Sequence, residues 1–203
     1  MPTPLRSRTR TTAEPPEMVD VELVRLAQAS PHDFAALYLR YRDPIMNYCY
    51  YRLGDREESE DAASVIFIKA LDHLPGFAVR GDSFRSWLFR IAHNEIADRH
   101  RARARHPSRS LTSEPNLPDT ASPLEDAAIA SDNRARVRHL LAQLSPRERA
   151  VLELLAAELA TREIAEVLQI SEQNVRTAQS RAVSRLRGLL AVPAMAAPEM
   201  DDA

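Results

Sequence analysis

Phe77 to Arg105 reads FAVRGDSFRSWLFRIAHNEIADRHRARAR, a polar loop running into an amphipathic helix that ends in alternating arginines. Phe84, Trp87, Leu88, Ile91, Ala92 and Ile96 recur at steps of three and four, which places them on one helical face and predicts that this face is buried. Ser86, Arg90, His93, Asn94, Ala97 and Arg101 follow the same spacing on the other side. That side is expected to be exposed, and it offers hydrogen-bond donors and positive charge with little bulk, a surface suited to nucleic acid. From Arg80 to Arg109, eight arginines stand against Asp82, Glu95 and Asp98, a local charge of +5 in a chain whose net charge is -2. The positive charge is therefore concentrated in this stretch.

Outward from it, the composition of 28% charged and 44% hydrophobic residues over 203 positions is that of an ordinary globular protein of one or two domains. Four glycines argue against Gly-rich nucleotide loops. No apolar run approaches the roughly 20 residues of a membrane span, and the N-terminus lacks the apolar core of a signal peptide, so a cytoplasmic location is expected. The single cysteine, Cys49, lies between two tyrosines in an apolar segment and reads as a core thiol.

Residues 1–18 hold almost no large apolar side chain and read as a disordered tail. A short helix is expected over Val21 to Ala29. A second opens at Ser30-Pro31 and keeps its apolar spacing through Phe34, Leu37, Tyr38, Tyr41, Ile45, Tyr48 and Cys49 to Gly54, with a kink or break expected at Pro44. A third, from about Arg56 to His73, carries two stripes. Ala63, Ile66, Phe67, Ala70 and Leu71 form one, expected to face inward; Asp61, Ser64, Val65 and Ile68 form the other, either a wide core face or a docking surface. Pro107 to Pro123 holds four prolines and no aromatic residue, and 108–123 reads as a linker between domains at 19–107 and 124–191. From Ser110 to Asn133 it is acidic, through Glu114, Asp119, Glu125, Asp126 and Asp132, with no Lys or Arg.

Ser122-Pro123-Leu124-Glu125 and Ser145-Pro146-Arg147-Glu148 both match the capping box. Val151, Leu152, Leu154 and Leu155 follow as a core helix, then two helices at Thr161 to Leu168 and Ser171 to Leu190 separated by Gln169-Ile170, the layout of a helix-turn-helix. The second would expose Gln173, Asn174, Arg176, Thr177, Ser180, Arg181 and Arg185, residue types that contact base edges and phosphates. Residues 192–203 read as a second tail. The expected fold is all-α, with two helical domains joined by a flexible acidic linker.

Taken together, Phe84 to Asn94 (FRSWLFRIAHN) and the C-terminal helix-turn-helix resemble an extracytoplasmic-function sigma factor of the sigma-70 family of bacterial RNA polymerase, over about Val19 to Leu190. The resemblance implies that Arg80, Asp82, Ser83, Trp87, Arg90, His93, Asn94 and Arg101 recognise the minus-ten promoter element and assist strand opening. Ser59-Glu60-Asp61 with Ile66 to Leu71 is similar to the family's polymerase-docking helix, which assigns docking to Glu60, Asp61, Ser64, Val65 and Ile68. Leu144 to Leu152 and Glu163 to Leu168 look like the domain that reads the minus-thirty-five element through the seven polar residues named above. Implied partners are core RNA polymerase, promoter DNA and an anti-sigma factor; no cofactor or metal is implied. The family has Gln-Glu where this chain has Ser64-Val65, arginines are common where it has Ala178 and Val183, and the usual turn glycine is Gln169, which at a left-handed position would cost about 1 kcal/mol.

Two other classes compete. A stand-alone helix-turn-helix regulator of the two-component or quorum-sensing type shares the C-terminal pattern, but residues 19–105 lack the alternating strands of a receiver. An enzyme would have to use His93-Asn94-Glu95, the H-x-E of zinc deaminases, and those also need a Pro-Cys-x-x-Cys partner that a chain with one cysteine does not have.

Overall fold

The computed structural model describes residues 16–78, 83–105, 136–137 and 139–191, and the regular structure among them is helical. Helix α1 spans Pro16–Ala29, α2 Phe34–Leu53, α3 Arg56–His73 and α4 Phe84–Arg105; α5 spans Pro146–Ala156, α6 Thr161–Leu168 and α7 Glu172–Ala191. The expected linker, the tail at 192–203, the first fifteen residues, the capping box at Ser122, and the loop residues Arg80 and Asp82 lie outside the described residues.

In the first half, α2, α3 and α4 meet on a core of Leu37, Ile45, Tyr48, Cys49, Ile66, Phe67, Leu88, Phe89 and Ile96. α1 begins at Pro16, five residues earlier than its apolar spacing suggests, and is tied down by polar contacts as well as by Val24 and Ala27. The Tyr41 hydroxyl donates to the Asp20 carboxylate, and Gln28 Nε2 donates to the carbonyls of Leu74 and Phe77 at 2.9 and 2.8 Å. α2 runs through Pro44 without a break in its helical assignment. The proline withholds one backbone donor, and the buried side chains of Tyr41, Ile45, Tyr48 and Cys49 on either side hold the helix together across it. Gly54 stops it at φ 79°, donating to the Tyr50 carbonyl at 2.9 Å, and Asp55 caps α3 by accepting from the Glu58 amide at 2.7 Å. Cys49 is fully buried, and loss of solvent pushes its thiol up to about 12.

In the second half, the expected capping box at α5 is complete: Ser145 Oγ accepts from the Glu148 amide and the Glu148 carboxylate accepts from the Ser145 amide at 3.0 Å. Val151, Leu154, Ile164, Val167, Val175, Ala178 and Ala182 form the core, while Leu152 and Leu155 are only half-buried. Gln169 ends α6 at φ 55° and ψ 45°, a left-handed conformation that carries the cost noted for a non-glycine residue, with the Ala165 carbonyl accepting from the amides of both Gln169 and Ile170. Ser171 Oγ caps α7 by accepting from the Asn174 amide at 3.2 Å.

The two halves do not stand apart. α6 lies along α4, α5 touches α2, and one cluster of buried apolar residues continues through both halves. Arg52 of α2 pairs with Glu153 of α5 at 2.6 Å, with side-chain exposures of 11% and 1%.

Candidate nucleic-acid interface

Helix α4 buries most of the face that its spacing predicts: Phe84, Leu88, Ala92 and Ile96 are in the core, with Trp87 and Ile91 half-buried at its margin. Phe89, which the spacing did not assign to this face, is fully buried and packs edge-on to Tyr48 at 5.5 Å. At the head of α4, Phe77, Phe84 and Trp87 form a three-ring cluster with centroids 4.9–5.9 Å apart.

The opposite face departs from expectation at its start. Ser86 is 2% exposed, because α6 covers it: its hydroxyl donates to Glu166 Oε2 at 2.6 Å. Ser83 Oγ donates to Glu163 Oε1 at 3.1 Å while accepting from the Ser86 amide at 3.0 Å, and so caps α4 as it bridges to α6. Arg85 was not among the expected site residues. It reaches the Ala157 carbonyl at 2.7 Å and lies 4.0 Å from Glu163. Arg90 is half-buried. His93 also turns inward, its Nδ1 3.2 Å from the Tyr48 hydroxyl. Burial first, and the Arg52 guanidinium second, push its pKa down to about 4, so the ring is neutral near pH 7 and shares one hydrogen bond with the tyrosine. Asn94 alone among the polar residues of the middle turns is exposed as expected.

The C-terminal arginines of α4 are exposed or half-exposed, yet several are already engaged within the chain. Arg99 Nε and Lys69 Nζ hold the two oxygens of Glu95 at 2.7 and 2.6 Å, and Arg101 and Arg103 pair with Asp98 and Glu58. Burial would raise the Glu95 carboxyl, but the hydrogen bonds and charges of Lys69 and Arg99 outweigh it and hold the group below the usual carboxylate range. Phosphates reaching this end would have to compete with such pairs, and exposed pairs are weak.

On α3, Glu60, Asp61 and Ser64 are exposed, Val65 is half-buried, and Ile68 is 60% exposed. Leu71, expected to face inward, is 37% exposed, and Tyr38 of α2 is 40% exposed with its ring 4.8 Å from that of Phe67. The exposed stripe is therefore wider than the sequence spacing implied, running from α3 onto α2. In α7, Gln173, Asn174, Arg176, Ser180, Arg181 and Arg185 are exposed and Thr177 is half-buried. Asn174, Thr177 and Arg181 line an open cleft of about 250 Å³ with Ser145 and Arg147, a place where hydroxyl, amide and guanidinium donors converge. Arg176 pairs with Glu172 at 2.7 Å and Arg185 with Glu148 at 3.4 Å.

Among the described residues no group of three or more His, Cys, Asp or Glu could hold a metal ion, and no helix is long and apolar enough to cross a membrane.

Residues 37–106 match the family model for sigma-70 region 2, and residues 142–188 match that for bacterial regulatory proteins of the luxR family. The chain is 37% identical over 153 residues to the ECF RNA polymerase sigma factor ShbA of Streptomyces griseus, covering 71% of this chain and 80% of that one. It is 33% identical over 173 residues to the ECF RNA polymerase sigma factor BldN of Streptomyces coelicolor, covering 84% of this chain but only 65% of that longer protein. The sigma factor RpoE of Bartonella quintana, solved in complex with the anti-sigma factor NepR, shares the fold at a TM-score of 0.60 and 22% identity, over 79% of this chain and 98% of that one.

Proposed function

The chain belongs to the extracytoplasmic-function sigma factors of bacterial RNA polymerase, and from that membership we propose how its surfaces divide the work of promoter-specific initiation. The observation that carries the reading is the coexistence in one chain of an exposed polar recognition helix, α7, and an exposed mixed stripe on α3. A stand-alone regulator of the luxR type uses the first and has no need of the second, and the match to that family is confined to residues 142–188.

In this reading residues 19–107 form the domain that docks on core polymerase and reads the minus-ten element. Residues 124–191 form the domain that reads the minus-thirty-five element, with 108–123 as the tether. Glu60, Asp61, Ser64, Val65 and Ile68 meet the polymerase, and Tyr38 and Leu71 extend that contact. A base flipped from a duplex costs a few kcal/mol to unstack, so it needs an aromatic and polar site to hold it. The Phe77–Phe84–Trp87 cluster and Asn94 supply such groups, Arg80 and Asp82 fall between Phe77 and Phe84 in the sequence, and Arg90 and Arg101 serve the backbone. His93 acts through its bond to Tyr48, positioning α4 as a neutral ring. In α7, Arg176, Arg181 and Arg185 contact phosphates, and Gln173, Asn174, Thr177 and Ser180 face the major groove. The protein is a DNA-binding regulator whose chemistry is supplied by the polymerase, which places it in the cytoplasm. An anti-sigma factor is its expected inhibitor, a partner of the class that NepR represents in the complex with RpoE.

Run-off transcription with core polymerase tests the reading, using wild type and an Asp61→Arg, Ile68→Glu variant. A start-site-specific transcript is expected with the wild type and its loss with the variant, at unchanged helical content. Specific operator binding by the protein alone, with no initiation from a promoter library, would favour the regulator instead.

A further inference from the structure

Glu95 stands apart from the other acids that meet the arginines of α4. Asp98 and Glu58, the partners of Arg101 and Arg103, keep 59% and 22% of their side chains exposed, so a phosphate can take those arginines from them. Glu95 is 9% exposed and holds two cations at once, Arg99 Nε at 2.7 Å from its own helix and Lys69 Nζ at 2.6 Å from α3. Taking either cation away leaves a buried carboxylate short of a partner, which is costly, so Arg99 and Lys69 stay in place when nucleic acid arrives. Glu95 and Arg99 also act electrostatically on the buried Cys49 thiol, which places the cluster where α2, α3 and α4 converge.

The neighbours of this pair in the chain matter as much as its burial. Glu95 follows Asn94, the exposed amide proposed to hold an unpaired base, and Lys69 follows Ile68, the exposed apolar residue of the α3 stripe. Successive helical residues point about 100° apart, so at each place one side chain faces outward and the next enters the seam between the helices. One ion pair therefore links the residue beside the docking contact to the residue beside the base contact. The apolar core that α3 and α4 share is non-directional, whereas charge-assisted bonds from two cations to the two oxygens of one carboxylate fix both rotation and height.

We propose that Glu95 is a positioning residue for promoter opening: by drawing Lys69 of the docking helix and Arg99 of the DNA-reading helix onto one carboxylate, it sets where Asn94 stands relative to the polymerase-docking face of α3. Neither Glu95 nor its two cations touches DNA in this arrangement. The proposal rests on the sigma-factor reading and deepens it, since it names the bond that carries the docking geometry to the reading surface. It also divides the basic run of α4. Arg99 belongs to the scaffold, and the phosphates fall to Arg101 and Arg103 beyond it.

The test uses holoenzyme made from core polymerase and the full chain, with a fluorescent single-stranded oligonucleotide carrying the minus-ten strand of the promoter that gives the run-off transcript. Glu95→Gln keeps the shape of the side chain and removes its charge. It should bind core polymerase and a minus-thirty-five duplex as tightly as wild type does, while the affinity of its holoenzyme for the oligonucleotide falls about tenfold, the size of one lost base contact. A Lys69→Met, Glu95→Met variant tests whether the bond is merely structural. Apolar replacement of a buried ion pair is often neutral or stabilising, so its urea midpoint should be no lower than that of wild type. Its oligonucleotide affinity should nonetheless fall as in Glu95→Gln. Oligonucleotide affinity equal to wild type in Glu95→Gln, or in the stable apolar variant, overturns the proposal. So does a fall in core affinity that matches the fall for the oligonucleotide, the mark of general loosening. Glu95→Gln decides by itself if the apolar variant does not fold. Wild-type holoenzyme that gives no start-site-specific transcript removes the sigma-factor reading, whereas a transcript with no selective loss in the variants removes only the role of Glu95.

Discussion

Replacing Gln169 by glycine should stabilise the protein. Gln169 ends α6 at φ 55°, where a β-carbon crowds the following carbonyl, a strain of about 1–2 kcal/mol for an L-residue. Its side chain is exposed, so truncation forfeits little. The backbone bonds that hold the turn, from the amides of Gln169 and Ile170 to the Ala165 carbonyl, are independent of side chain. Against the relief of strain stands the greater entropy that glycine brings to the unfolded chain, about 0.5–1 kcal/mol. The net is a gain of about 0.5–1 kcal/mol, or a rise in Tm of about 1–4 °C for a chain of this size. Gln169→Asn should gain a smaller amount, since asparagine tolerates this conformation, and Gln169→Val should lose stability because β-branching is least compatible with it. Urea melts followed by circular dichroism would rank the four proteins. Gln169→Gly no more stable than wild type, or Gln169→Val equal to it, would show that the turn is not strained and refute the reasoning.

Two further expectations follow from the same structure. Because the folded His93 titrates near 4 against 6.5 unfolded, and His100 is displaced in the same direction, mainly by burial, the unfolded state takes up protons first as pH falls. Stability should therefore be full above about pH 6.5 and decline toward pH 5 at up to about 1.4 kcal/mol per pH unit for each histidine, and His93→Gln should flatten the urea midpoints over that window; an equal slope in the variant would exclude His93 as the source. For the second domain, Arg176→Ala, Arg181→Ala and Arg185→Ala together should lower the slope of log affinity against log salt by about 0.9 for each phosphate that the protein no longer neutralises, measured by anisotropy on a minus-thirty-five duplex; an unchanged slope would make these arginines a solvated face.

Much of this architecture is legible in local patterns, because the signals are local. The capping box at Ser145 and Glu148 and the stop at Gly54 each depend on residues within four positions, and both are found as read, whereas the left-handed conformation of Gln169 has no signature in a glutamine side chain. The polar face of α4 is legible as polar, but not as partly covered. Periodicity tells which side of a helix faces its own core; it carries no information on what packs over the other side from distant sequence. Glu163 and Glu166 look like ordinary helix acids, and their meeting with Ser83 and Ser86 has no local signature. His93 departs from its expected exposure for a related reason: its spacing matches the exposed residues, but a tyrosine one helix away gives the ring a partner that draws it inward. Tyr38 and Leu71 depart in the opposite sense, since an apolar stripe marks a buried face and an uncovered docking face equally well.

Ser86 and Glu166 meet at 2.6 Å yet stand 80 residues apart in the chain. Ribosomes add about 5–20 residues per second, so the head of α4 is synthesised roughly 4–16 s before its cover. Every molecule is thus born with its first half open, and closure is something it acquires near the end of its own translation. The order of synthesis thereby fixes that the first half must hold its own core before the contact from the second half exists.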